Sequence, residues 1–243
     1  MNIVLKIGGS ILFKDLNLNF DLLERLITNI GTLADRNKIV IVTGGGRPAR
    51  MYIDWCRSLG LSEFECDMLG IYSSRINAYL LSRLFISKLS NFRISRHIPT
   101  SPLEVSELIQ LFDIVFCGGF IPGQSTIGVA AEVAEAMGSK YLLIATDVDG
   151  IYDKDPKRYP DAKRFSIISI DTLLNMFFYS EQKAGTYKLF DIQSLNIIKR
   201  SKILTIVFNG SDPATSSEVI NCIITNDMER LKKISTIVSP TMD

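Results

Sequence analysis

The sequence has few of the side chains from which most metal and nucleophile sites are built. It holds one histidine, His97, and four scattered cysteines, Cys56, Cys66, Cys117 and Cys222, with no CxxC pair. Structural zinc gathers Cys and His at close spacing, so no protein metal site is expected. Lone thiols of this kind read as buried residues in a reducing compartment. Neither charge sign is in excess: 27 Lys plus Arg stand against 26 Asp plus Glu, a formal net charge of +1. That balance gives no footprint for nucleic acid or an anionic membrane surface. No apolar run approaches the roughly 18 residues of a membrane span. The opening MNIVLKIGGS has a strand pattern without a signal peptide's apolar stretch, so a cytoplasmic protein is expected. The GxxxxGK[ST] and GxGxxG nucleotide signatures are absent too.

What the chain does have is a core and a rhythm. Of its 243 residues, 47% are apolar, enough for one large α/β unit or two lobes. Strand-like runs at 3–7, 39–43, 114–117, 141–145, 203–208 and 236–238 alternate with helical patterns at 21–36, 47–59, 67–86, from 102, and at 125–137. The alternation predicts a mostly parallel sheet with helices on both faces. Asp21 and Glu24 stand at capping-box spacing, and Ser101 followed by Pro102 marks a further helix start. The polar stretch 153–164 predicts a hairpin or a junction between lobes.

Four predicted strands end in unusual residues: Lys6-Ile7-Gly8-Gly9-Ser10; Gly44-Gly45-Gly46 with Arg50 beyond; Gly118-Gly119 running on to Thr126; and Thr146-Asp147-Val148-Asp149-Gly150. Ligands of open α/β sheets bind beyond the carboxyl ends of the strands. Glycine-rich loops there, with a lysine and an arginine beside them, suit several phosphate groups bound by main-chain N–H groups and helix N-termini. The acidic run 147–155 is no EF-hand, because its glycine falls at the wrong position.

Taken together, KIGGS, VTGGGRPAR, the helix start from Asp67 to Asn77, GGFIPGQST, ATDVDGIYDKDP and KAGTYKLFDIQSLNIIKRS resemble the amino acid kinase family. Within it, the chain looks like the archaeal type of uridylate (UMP) kinase, from Lys6 to about Asp212. The resemblance implies a three-layer α/β/α sandwich, with an acceptor lobe over about 1–139 and an ATP lobe over about 140–243. It implies transfer of a phosphoryl group from ATP to UMP, with Mg2+ carried as MgATP mainly on the phosphates, and a homohexamer. Carried over by motif, Lys6, Gly8, Gly9 and Ser10 would hold the ATP phosphates. Gly45 would touch the UMP phosphate, and Gly46 and Arg50 would lie between donor and acceptor. Asp67 would bind the ribose, and Ile121, Pro122, Gly123, Gln124, Ser125, Thr126 and Ile127 would wrap the uracil and phosphate. Thr146, Tyr152 and Asp155 would frame the adenine nucleotide. Asp147 would orient the cationic groups, and Lys6, Arg50 and Asp147 are the catalytic candidates. Lys188 stands where many members carry a second lysine; its role stays open.

Blander readings stand beside these. Lys6 is a surface charge, the glycine triplet a tight turn, Asp67 the cap of a helix starting there. Asp149 and Asp153 read as a solvated turn, and His97 as a loop residue. Arg75 and Asn77 help at the acceptor phosphate or pair with a neighbouring subunit. The apolar helix faces at 67–86 and 20–33 give mild support to self-association. Two other functions remain: a kinase of this family acting on a carboxylate, carbamate or isoprenoid phosphate, or a non-catalytic anion-binding member.

Overall fold

The computed structural model describes residues 1–14, 16–156, 158–180 and 189–240; Lys188 lies outside them. The chain opens with strand β1 (Asn2–Ile7), one-turn helix α1 (Gly9–Leu12), short strands β2 (Phe13–Lys14) and β3 (Asn17–Leu18), and helix α2 (Phe20–Ala34). Strand β4 (Lys38–Thr43), helices α3 (Gly46–Ser58), α4 (Glu63–Lys88) and α5 (Pro102–Leu111), strand β5 (Ile114–Cys117), helix α6 (Thr126–Ala136) and strand β6 (Tyr141–Thr146) follow. Then come β7 (Ile167–Ser169), α7 (Ile170–Ser180), α8 (Ile192–Arg200), β8 (Leu204–Asn209), α9 (Pro213–Thr225), α10 (Met228–Ile234) and β9 (Ser235–Ser239).

Seven strands form one sheet in the order β5-β4-β1-β6-β8-β9-β7. All neighbouring pairs are parallel except β8 with β9. Successive side chains of a strand face opposite sides. Ile3, Leu5 and Ile7 of β1, with Ile39 and Ile41 of β4, pack into a core shared with α2, α4, α9 and α10. Val4, Val40 and Val42 face the opposite core, built with α5, α6, α7 and α8. This is the expected three-layer sandwich. Strands covered on both faces read as unbroken apolar runs, which is why they were visible in the sequence. Because β5, β4, β1 and β6 are adjacent and parallel, their four unusual ends share one edge.

Several local expectations are corrected. Helix α4 begins at Glu63, not 67. Ser62 is its N-cap, with the Glu65 N–H donated to Ser62 Oγ at 3.4 Å and the Ser62 N–H donated to Glu65 Oε2 at 2.8 Å. Asp67 therefore caps nothing. The Asp21–Glu24 box is not formed either: Asn19 precedes α2 with no side-chain cap bond, and Asp21 sits in the first turn, where the helix dipole favours a carboxylate. The apolar face of α2, with Leu22, Leu23, Ile27 and Ile30, is core, not a docking face. Ser101 does cap α5, accepting from the Glu104 N–H at 3.2 Å.

The stretch 153–164 is a hairpin-like excursion, closed by a Tyr152–Arg164 bridge and by the Asp153 N–H on the Lys163 carbonyl at 3.1 Å. Asp149 and Asp153 are not merely solvated. Asp149 accepts from the Tyr152 hydroxyl at 2.6 Å and pairs with Arg164 at 3.5 Å, and Asp153 accepts from the Lys163 N–H at 2.8 Å.

The cap at Ser62 gives a direct test. Ser62→Ala should cost about 1 kcal/mol in denaturant melts. Asp21→Ala, which breaks no cap bond, should cost less; equal losses would contradict the assignment.

Candidate active site

The site grows from the ends of β1 and β4. The first loop is tied to β6 by the Gly8 N–H on the Ala145 carbonyl at 3.0 Å, and β4 is tied back to β1 by the Gly44 N–H on the Ile7 carbonyl at 3.0 Å. These bonds press the two loops together. A Cβ on Gly9 would lie 2.1 Å from the Gly46 nitrogen, and Gly46 itself has φ +69°, where side chains are disfavoured. The glycines are thus required first by main chain against main chain, and any phosphate would meet a surface free of side chains.

Lys6 lies just before this contact and is only 8% exposed. Burial disfavours its ammonium and pulls its pKa down from 10.5 to about 8, against an opposing pull from the Asp147 carboxylate. A surface charge is therefore excluded. Thr146, buried at the end of β6, donates to Asp147 Oδ1 at 3.3 Å. Tyr152 and Asp155 lie beyond, in the excursion. Burial, with the Asp149 bond, pushes the Tyr152 phenol up to about 12, and Asp155 pairs with Arg158 at 3.5 Å.

On the other side of Gly46 is a cavity of about 260 Å³. Gly45, Gly46 and Arg50 form one wall, Asp67, Gly70, Ile71 and Ser74 of α4 another, and Gly119, Ile121, Gly123, Gln124 and Thr126 a third. The structure brings together eight of the expected residues here: Gly45, Gly46, Arg50, Asp67, Ile121, Gly123, Gln124 and Thr126. Asp67 Oδ2 accepts from the Gly123 N–H at 2.7 Å, so helix and loop are joined across the cavity mouth. Both amide atoms of Gln124 are shielded from solvent without a partner among the described residues, an arrangement that costs free energy unless water or a ligand supplies the bonds.

Three expected residues stand apart from that lining. Ser125 is the N-cap of α6, accepting from the Gly128 N–H at 2.9 Å and bonding Asp191; Ile127 is packed in the core; Pro122 sits in the intervening turn. Ser10 lines a separate cavity of about 460 Å³ with Lys14, Arg25 and Ser211. The α4 wall of Gly70, Ile71 and Ser74 was not foreseen. Its only sequence signal is a small-residue pattern along an otherwise ordinary helix. Arg75 and Asn77 both bond main-chain carbonyls of the glycine loops.

Comparison with known proteins agrees with this architecture. Residues 1–209 match the amino acid kinase family profile. The chain is 43% identical over 213 residues to the uridylate kinase of Sulfurisphaera tokodaii, covering 86% of this chain and 90% of that one. It is 40% identical over 220 residues to the uridylate kinase of Methanococcoides burtonii, covering 90% and 91%. The crystal structure of uridylate kinase from Archaeoglobus fulgidus superposes with a TM-score of 0.77 at 32% identity, over 98% of this chain and 100% of that one. At 23% identity, UMP kinase from Ureaplasma parvum shares the fold, with a TM-score of 0.78 over 98% of both chains. Sheet order, glycine-lined strand ends and these likenesses converge on one conclusion: the chain belongs to the amino acid kinase family.

Proposed function

We propose that this protein transfers the γ-phosphate of ATP to UMP, giving UDP and ADP. The observation that carries the reading is the cavity in which Gly45, Gly46 and Arg50 face Asp67 and the partnerless amide of Gln124. It offers main-chain and cationic donors for a phosphate at one end. At the other it offers a carboxylate for a ribose hydroxyl and an amide for the base. Asp67 has acceptor capacity beyond its bond to Gly123, and the Gln124 amide can give and accept a bond on a uracil edge. Uridylate kinases at about 40% identity support the same substrate. A small carboxylate or carbamate acceptor would leave the Asp67 carboxylate and the Gln124 amide without a ribose and a base to bond, and a passive anion store has no need of a buried lysine beside Asp147.

Phosphoryl transfer asks for in-line positioning and positive charge on the moving group. The UMP phosphate is already an anionic nucleophile, so no general base is required. In this reading Lys6, Gly8, Gly9 and Ser10 hold the ATP phosphates, Gly46 and Arg50 lie along the transfer line, Asp147 orients Lys6, and Thr146, Tyr152 and Asp155 frame the adenine nucleotide. The first part of the chain, about 1–139, is the acceptor lobe and the remainder the donor lobe. A divalent cation is implied by the reaction. Among the described residues no three metal-ligating side chains gather. The donors on offer, phosphate oxygens with Asp147 nearby, suit a hard, largely hydrated ion such as Mg2+. It would neutralise phosphate charge; Lys6 and Arg50 would do the rest.

Assembly belongs to this proposal as well. Tyr52 and Trp55 on α3 and Tyr72, Ile76 and Tyr79 on α4 are exposed apolar residues, the kind of face that an oligomer covers, in keeping with a homohexamer. A cytoplasmic role in pyrimidine nucleotide supply follows from the substrates.

ADP release from ATP should depend on UMP, and dUMP should be a poorer acceptor, by up to roughly 10⁴-fold in kcat/KM, because a site built to bond a hydroxyl rejects the analogue without it. Equal kcat/KM for UMP and dUMP would remove Asp67 from the ribose.

Lys6→Ala should lower kcat by roughly 10²–10³, as loss of one preorganised electrostatic donor does, with little change in the KM for UMP. Since only the ammonium serves and its pKa is about 8, kcat/KM should fall as pH rises through that value. A folded Lys6→Ala protein with near-normal kcat would show that Lys6 takes no part; a wild-type profile flat through the alkaline range would show that its ammonium is not lost there.

A further inference from the structure

Arg75 and Asn77 lie on α4 within one turn of Ser74, the last residue of the cavity wall on that helix, and the reaction as proposed gives neither a role. Asn77 is buried, and its Nδ2 donates to the Gly44 carbonyl at 2.8 Å and the Gly45 carbonyl at 3.2 Å. In a trans peptide the carbonyl of one residue and the N–H of the next point to opposite sides. Gripping the Gly44 and Gly45 carbonyls from α4 therefore turns the N–H groups of Gly45 and Gly46 away from the helix. Gly46 is the first residue of α3, so its N–H has no intrahelical acceptor, and its nitrogen lies against Gly9 of the opposite loop.

Arg75 repeats the device on the β5 loop. Its Nε donates to the Gly119 carbonyl at 2.8 Å and its Nη2 to the Phe120 carbonyl at 3.2 Å. The planar guanidinium is suited to such a two-point grip. The same peptide geometry directs the Phe120 and Ile121 N–H groups away from the arginine, and Ile121 lines the cavity. Between the two, Ser74 Oγ accepts from the Gly119 N–H at 2.8 Å, and Thr43 Oγ1 donates to the Ser74 carbonyl at 2.8 Å. One turn of helix thus sets the peptide planes of both glycine loops.

We infer that Asn77 and Arg75 are positioning residues for the acceptor phosphate. They touch no substrate. They orient the N–H groups of Gly45 and Gly46, and the strand-end loop around Ile121, so that these donors are in place before UMP arrives, which removes the ordering cost at binding. The inference rests on the UMP kinase reading above.

The test is calorimetric binding of UMP, of uridine (which lacks the phosphate) and of ATP to wild type, Asn77→Asp and Arg75→Lys, with thermal melts alongside. Asn77→Asp keeps the shape but sets a carboxylate against two carbonyls. It should weaken UMP about tenfold or more, the order of one or two net hydrogen bonds, and leave uridine and ATP near wild type. Arg75→Lys keeps the charge but loses the fork, and should weaken UMP about threefold; it decides the matter if Asn77→Asp does not fold. Equal loss for UMP, uridine and ATP would mean a general structural role and overturn the inference. So would UMP binding unchanged in a folded variant. A wild-type protein that does not bind UMP would overturn the functional reading and this inference with it, whereas UMP binding by wild type separates the two.

Discussion

The contact between the main chains of Gly9 and Gly46 is the constraint on which the rest of the site depends. Two parallel neighbours, β1 and β4, end at the same edge, and their loops meet with no room for a single Cβ. Everything that is placed accurately is placed relative to that contact. Lys6 precedes it by three residues, Arg50 follows it by one turn of α3, and the acceptor cavity opens on its far side. A phosphoryl group carried between two nucleotides needs a path of this kind: backbone dipoles on both sides and cations at the flanks, with no side chain in the way.

Burial decides which charges matter here. Lys6 keeps an ammonium out of water with Asp147 as its described counter-charge, a state that a soluble strand end has no reason to hold for stability alone. Gln124 is the polar counterpart, with two amide atoms shielded and unbonded. In the proposed reading, nucleotide would supply both groups with partners that the described residues do not. Helix α4 meanwhile serves three ends along its length. Asp67 faces the cavity, Ser74 to Asn77 brace the loops, and Tyr72, Ile76 and Tyr79 face outward. That division explains why its apolar residues trace no single stripe.

The sheet was legible because its strands are covered on both faces and so appear as unbroken Val and Ile runs. The glycine-lined ends were legible because nothing in a strand interior calls for three successive glycines. Other features could not be seen. The pairs β2–β3 and β7 are two or three residues long, too short to leave a period. The true cap of α4, Ser62 with Glu65, stands among exposed Leu59, Leu61 and Phe64, which blur the helix start and made Asp67 look like the cap. The meeting of Gly9 with Gly46, and the grips of Arg75 and Asn77 on carbonyls more than thirty residues away in sequence, exist only once the chain is folded. Motif likeness pointed to Gly45, Arg50, Asp67 and Gln124 without saying that they share one cavity.

The central claim is that donor and acceptor phosphates meet in line across the Gly9–Gly46 contact. Its most direct test is the affinity of a bisubstrate compound in which adenosine and uridine are joined 5′ to 5′ through a chain of phosphates. If the two subsites adjoin as described, linking the ligands makes the second binding event intramolecular, and the compound should bind at least about a hundredfold more tightly than ATP or UMP alone. An affinity no better than that of ATP, with UMP still able to bind alongside the compound, would place the two nucleotides in separate sites and contradict the account.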